Sequence, residues 1–182
     1  MQLNTNSKTT PDSEQRIVRV LPRLDAVHRV PDTGEACISI TNPRQSPASL
    51  EDGWAEVLRL GFHDTDRRGG GFTEMTFEHA MDVLAFGRRH AAAPFTVHCQ
   101  FGQSRSVAVG IFLAAWLGRP VQLTHDVLAP NPWVVRQLRR AALLCALRWR
   151  DGRLLMVALA SPLAPRFRYA MLPKAIADTY LP

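Results

Sequence analysis

The sequence has little lysine, little cysteine and no long apolar run. Its three cysteines, Cys37, Cys99 and Cys145, are too few and too scattered for a disulfide framework, and their odd number points to reduced thiols in a cytoplasmic setting. The longest apolar stretch, Val107 to Gly118, falls short of the about 20 residues a bilayer crossing needs, so no membrane span is expected. Residues 1–15 are polar, lack the apolar core of an export signal, and read as a flexible leader. The six histidines show no pair at metal-ligand spacing and Cys-x-x-Cys does not occur, so no zinc site is expected. A Gly-x-x-x-x-Gly-Lys loop for nucleoside triphosphates is also missing.

What remains is the composition of one ordinary domain. The 182 residues are 46% hydrophobic and 21% charged, enough for a single core, and not the make-up of a disordered, collagen-like or coiled-coil chain. The net charge of +6 is unevenly placed: residues 1–120 carry 13 basic and 13 acidic side chains, residues 121–182 nine and three. A basic C-terminal third suits an acidic partner, nucleic acid or an anionic surface. A solvated helix face is the simpler account, since only two of the 22 basic residues are lysine and arginine is used throughout.

Periodicity gives an alternating α/β layout. Ile17 to Leu21, Ala36 to Thr41, Glu56 to Phe62 and Phe95 to His98 read as strands. A helix is expected from near Thr73, with Thr73 as its cap, Phe72 and Phe77 as a hydrophobic staple, and Phe77, Ala80, Met81 and Leu84 on its core face. A second runs from about Arg105 to Trp116, ended by Gly118-Arg119-Pro120. A third starts at Asn131-Pro132, with Asn as cap and Pro in the first turn, and runs to Arg150, where Asp151-Gly152 breaks it. Strands alternating with helices imply a mostly parallel central sheet flanked by helices on both faces.

One segment carries chemistry: Val97-His98-Cys99-Gln100-Phe101-Gly102-Gln103-Ser104-Arg105-Ser106. A buried strand delivers a cysteine to a tight turn, and a helix begins as the turn ends. The five residues between Cys99 and Arg105 are enough to wrap backbone around one tetrahedral anion, turning successive N–H groups inward at a helix N-terminus. Gly102 supplies the backbone freedom, and Arg105 reaches back with a planar fork to two phosphoryl oxygens. Amide dipoles and a guanidinium around Cys99 favour its thiolate. Ser106 is placed to hydrogen-bond that sulfur, and His98 to orient the loop from behind. A buried structural cysteine before an ordinary capped helix is the bland alternative, but His-Cys-x-x-Gly-x-Ser-Arg-Ser between an apolar strand and an apolar helix is far more specific.

This segment resembles the cysteine-dependent protein tyrosine phosphatases, in particular the compact dual-specificity type. The likeness is strongest over Phe95 to Trp116 and extends from Ala36 to Arg150, because strand, acid loop, helix, strand, phosphate loop and helix follow in the family's order. Cys37-Ile38-Ser39-Ile40-Thr41-Asn42-Pro43 and Asn131-Pro132-Trp133-Val134-Val135-Arg136 look like a bacterial or phage branch of small phosphatases. The resemblance implies hydrolysis through a phosphocysteine with no cofactor and no metal. Cys99 would be the nucleophile, Arg105 the phosphate clamp, Ser106 the aid to thiolate departure, and Gln100, Phe101, Gly102, Gln103 and Ser104 the donors of backbone amides.

It also implies an acid on a separate loop upstream. The loop His63 to Gly71 offers Asp64 and Asp66, 35 and 33 positions before Cys99, and spacing alone does not choose. Asp64 is preferred because it follows the apolar strand at once, with Asp66 reading as a turn residue or a partner for Arg67 or Arg68. The triplet Gly69-Gly70-Gly71 lets such a loop close over substrate. Cys37 and Cys145 read as core residues.

Residues 16–150 are thus expected to form the phosphatase domain, with 151–182 a C-terminal extension packed on it. Expected partners are a phosphorylated protein, with phosphotyrosine first and phosphoserine or phosphothreonine as a wider range, or a small phosphomonoester. Nucleic acid is the less favoured partner, as substrate of an RNA 5′-phosphatase on the same scaffold. A phosphoresidue-binding pseudophosphatase is opposed by the intact Cys99, Arg105, Ser106 and upstream Asp. A phosphoinositide substrate is opposed by the absence of Lys and Arg between Cys99 and Arg105. The upstream acid and the Ser-Arg-Ser ending favour ester cleavage over arsenate reduction or sulfur transfer.

Overall fold

The computed structural model describes residues 16–66, 69–124, 129–150 and 153–156. The expected leader, Arg67 and Arg68 as partners of Asp66, and the tail from residue 157 lie outside the described residues. Five strands form one wholly parallel sheet: β1 (Val18–Pro22), β2 (Ala36–Thr41), β3 (Glu56–Gly61), β4 (Phe95–Cys99) and β5 (Val121–Leu123), in the order β3-β2-β4-β1-β5. The helices are α1 (Arg23–Val27), α2 (Phe77–Arg89), α3 (Arg105–Leu117) and α4 (Pro132–Ala146). Strand β4 occupies the centre, its register running from Val18 opposite Phe95 to Pro22 opposite Cys99. Cys99 therefore lies at the carboxyl end of a central parallel strand, where open α/β sheets leave a crevice for ligands.

The two faces of the sheet differ. Val18, Ile38, Ile40, Leu60, Phe95, Val97 and Cys99 share one core with Val83, Leu84 and Phe86 of α2, Val109 and Leu113 of α3, and Leu138 and Ala141 of α4. Alternate residues point the other way, and that face holds Arg19, Cys37, Ser39, Arg59, Thr96 and His98. Short α1 and the segment 42–55 cover it: Arg23 donates to the Ser46 and Pro47 carbonyls at 3.1 Å each, and Arg59 to the Ala48 carbonyl at 3.1 Å. Helices do flank both faces, but unequally, with the three long ones on the apolar side.

Fully buried Glu35 anchors the polar side. Its carboxylate takes Arg29 at 2.9 Å, Arg19 at 3.3 Å, the Thr96 hydroxyl at 2.6 Å and the Asp32 amide at 2.8 Å. A buried charge persists when its oxygens are satisfied in this way.

Three expectations need correction. Helix α2 begins at Phe77, and its cap is Thr76, whose side chain accepts from the His79 amide while the His79 ring accepts from the Thr76 amide. Thr73 is unavailable as a cap because its carbonyl accepts from the His63 amide and its amide donates to His63 Nδ1, closing the base of the acid loop. Second, Phe72 is not the staple: with Thr76 as cap the residue before the cap is Met75, and exposed Phe72 lies edge-on to the His63 ring, at 5.4 Å between centroids. A histidine in the place of the usual Glu or Gln hid this capping box. Third, α4 stops at Ala146, and Leu147–Arg150 pairs antiparallel with Arg153–Met156 across Asp151-Gly152. Asp-Gly between two such runs is a hairpin signal as much as a helix stop.

The junction of α3 with β1 is tight. A Cβ on Gly110 would collide with Val20 Cγ2. Alanine is the better helix former by about 1 kcal/mol, but forcing a methyl against a β-branched core side chain costs about 1–3 kcal/mol. Gly110→Ala should therefore lower the urea midpoint, by a net destabilisation of up to about 2 kcal/mol; a raised midpoint would contradict this packing.

Candidate active site

The carboxyl ends of four strands supply the site. Cys99 ends β4, is 2% exposed, and its sulfur lies 3.0 Å from the Ser106 hydroxyl on the first turn of α3. Residues 100–104 turn back sharply to reach Arg105. Gly102 adopts φ +71°, and a Cβ there would sit 2.7 Å from the Pro22 nitrogen and 2.9 Å from the Leu21 carbonyl carbon. The turn thus rests directly on the end of β1, a contact only glycine permits. The Gln100 carbonyl accepts from the Arg23 amide at 3.3 Å, fastening the loop to α1.

Arg105 is 3% exposed and held by one nitrogen. Its Nη1 donates to Asn42 Oδ1 at 2.8 Å and to the Phe62 carbonyl at 2.7 Å, residues that directly follow β2 and β3. Its Nε is buried without a hydrogen-bond partner; Asp64 Oδ2, at 3.9 Å, is near enough for charge attraction and too far for a hydrogen bond. A guanidinium so held presents an unmet donor, and meeting it with an anionic oxygen is favourable.

Asp64 stands on the rim. Its Oδ1 accepts from Ser104 Oγ at 2.8 Å and from Asn131 Nδ2 at 2.7 Å. Asp66 lines the same open cleft, of about 740 Å³, together with Phe72, Gly69 and Gly70. The triplet Gly69, Gly70, Gly71 is in the left-handed region throughout, at φ +92°, +69° and +78°.

Cys99, Arg105, Ser106 and Ser104 are therefore gathered, as their order in the chain suggested, and Asp64 joins them, as the resemblance implied. Asn42 and Asn131 join them, residues that the sequence marks only as members of the two segments resembling small phosphatases and, for Asn131, as a helix cap. The signal available for Asn42 was its position just past the carboxyl end of a parallel strand. The remaining thiols stand apart: Cys37 is on the polar face of the sheet, its thiol pushed up to about 12 by burial and then by Glu35, and half-buried Cys145 lies 3.8 Å from the Met81 sulfur. Among the described residues no three His, Cys, Asp or Glu side chains converge as metal ligands, and no helix is long and apolar enough to cross a membrane.

His98, expected to orient the loop from behind, has its ring close to the Cys99 backbone. It is fully buried on the polar face, and neither ring nitrogen makes a well-directed hydrogen bond. Burial first, and the Arg23 charge second, push its pKa from 6.5 down to about 4. No family model, curated protein or solved structure matches this chain.

The neutral ring has a measurable consequence. Between pH 6.5 and 4 the unfolded chain takes up a proton at His98 that the folded chain refuses. Stability is therefore complete above that window and falls as pH drops through it, by up to about 3 kcal/mol. The urea midpoint of His98→Gln should lose less than wild type between pH 7 and 4.5; identical slopes would contradict a neutral buried imidazole.

Proposed function

We propose that the protein is a cysteine-dependent phosphatase that hydrolyses phosphotyrosine monoesters, with phosphoserine and phosphothreonine as a wider range, through a phosphocysteine. One observation carries this reading: a buried sulfur 3.0 Å from a serine hydroxyl shares a turn with an arginine whose buried Nε lacks a partner. At this turn a nucleophile, a fixed cation and a helix N-terminus converge.

The chemistry follows from those groups. The fork of Arg105 and the loop amides receive the equatorial oxygens of the phosphoryl group, where charge spreads in the transition state. The Cys99 thiolate attacks phosphorus in line with the ester oxygen. Protonated Asp64 gives its proton to that oxygen as it leaves, an assistance worth about 10²–10⁴-fold for a poor leaving group. In the second step Asp64 takes a proton from the attacking water, and Ser106 donates to the sulfur as the S–P bond breaks. Exposed Phe101 and Leu24 line a groove beside the loop and offer an apolar wall to an aryl ring. This favours aryl over alkyl esters. A free thiolate needs a reducing, cytoplasmic setting.

Phosphate release from an aryl phosphate should proceed undiminished in excess chelator. Cys99→Ser should abolish release yet still retain a phosphotyrosine peptide on a column; turnover by that variant would remove Cys99 from the nucleophile's role. Asp64→Asn should lower kcat on phenyl phosphate by about 10²–10⁴, and Asp66→Asn far less. The opposite ranking would hand the acid's part to Asp66.

A further inference from the structure

Two helix N-termini meet at one carboxylate oxygen. Ser104 occupies the N-cap position of α3, where a serine hydroxyl ordinarily accepts from its own helix's amides. It makes no such bond here; its Oγ is turned outward and donates to Asp64 Oδ1 at 2.8 Å. Asn131 does cap its helix, its Oδ1 accepting from the Val134 amide at 3.0 Å, and its Nδ2 points at the acid loop. That nitrogen donates to Asp64 Oδ1 at 2.7 Å and to the Thr65 carbonyl at 3.0 Å. Asn131 is 4% exposed, so its geometry is fixed by packing. The Asn131 amide also donates to the Ser104 carbonyl at 3.3 Å, joining the two caps to each other.

The consequence concerns the two oxygens of Asp64. Oδ1 accepts two hydrogen bonds, which fill its lone pairs and leave no room for a proton. Oδ2 lies 3.9 Å from Arg105 Nε, the buried donor that lacks a hydrogen-bond partner. We propose that Ser104 and Asn131 are positioning residues that confine the transferable proton of Asp64 to Oδ2. This inference rests on the reading of Asp64 as the acid. As the Cys99 S–P bond forms and the P–O bond breaks, the bonding pair passes to the ester oxygen. That oxygen takes the Oδ2 proton, leaving Asp64 a carboxylate whose charge both donors stabilise. In the second step a water oxygen attacks phosphorus and its proton returns to Oδ2. The S–P pair then returns to sulfur, and inorganic phosphate departs.

A purely architectural role for the two donors predicts something different, a loss that ignores the leaving group. The test compares wild type, Ser104→Ala, Ser104→Thr and Asn131→Ser on phenyl phosphate, whose leaving group needs a proton, and on 2,4-dinitrophenyl phosphate, whose leaving group does not. Ser104→Ala removes no helix cap, and serine at 131 keeps a capping oxygen while falling short of Asp64. Each of these two variants should lose about 10–100-fold in kcat on phenyl phosphate, the worth of one hydrogen bond to a charged group, with KM little changed. The loss on the dinitrophenyl ester should be at least tenfold smaller, and Ser104→Thr should restore phenyl phosphate turnover. Equal losses on both esters, or none on either, would overturn the positioning role while leaving the phosphatase reading intact. A wild-type protein that turned over neither ester would overturn both.

Discussion

Everything in the site depends on how one buried guanidinium is held. A charge at the end of a closed turn is tolerated only when its donors are met, and Arg105 meets two of them through a single nitrogen, on Asn42 and the Phe62 carbonyl. Those partners follow β2 and β3, so the guanidinium is located by the sheet and not by the turn it belongs to. The opposite edge of the guanidinium carries Nε, which is buried and lacks a hydrogen-bond partner. The turn itself is pressed against β1 at Gly102 and tied to α1 through Gln100. The spacing of strands in a parallel sheet thereby sets the distance between the arginine and the sulfur at the end of β4.

The same frame explains why the sheet has two unlike faces. On one, three long helices close an apolar core that keeps β4 and α3 in register. On the other, Glu35 with Arg19, Arg29 and Thr96 holds the amino-terminal ends of the strands, while His98 and Arg23 lie beneath the loop. An uncharged imidazole there adds no positive charge next to Arg23 and Arg59. The rim is organised separately: the loop that carries Asp64 is closed at its base by His63 and Thr73, and Asp64 is held by Ser104 and by the helix cap Asn131.

Much of this was legible from residue order. The four longer strands of the sheet, the run of α3 from Arg105, the capping role of Asn131 and the nearness of Cys99, Arg105 and Ser106 follow from local patterns, and Asp64 is found only through the resemblance. Contacts between distant segments were not legible. Nothing near Asn42 in the chain indicates a partner 63 residues away, and nothing near Glu35 indicates Thr96, 61 residues on. Strand β5 is three residues long and too short to show a period. The start of α2 is ambiguous in the sequence because Thr73 and Thr76 are equally good caps by residue type, and only the bonds to His63 separate them.

The central claim is that Cys99 attacks phosphorus and carries the phosphoryl group for part of each cycle. The most direct measurement is to mix the protein with a rapidly reacting aryl phosphate, quench in acid within one turnover, and locate the covalent phosphate by peptide mass spectrometry. A phosphoryl adduct on the peptide bearing Cys99, formed at the rate of the phenol burst and absent when Arg105 is replaced by alanine, is the expected result. Phenol release with no adduct on that peptide, or with the adduct on another side chain, would contradict it.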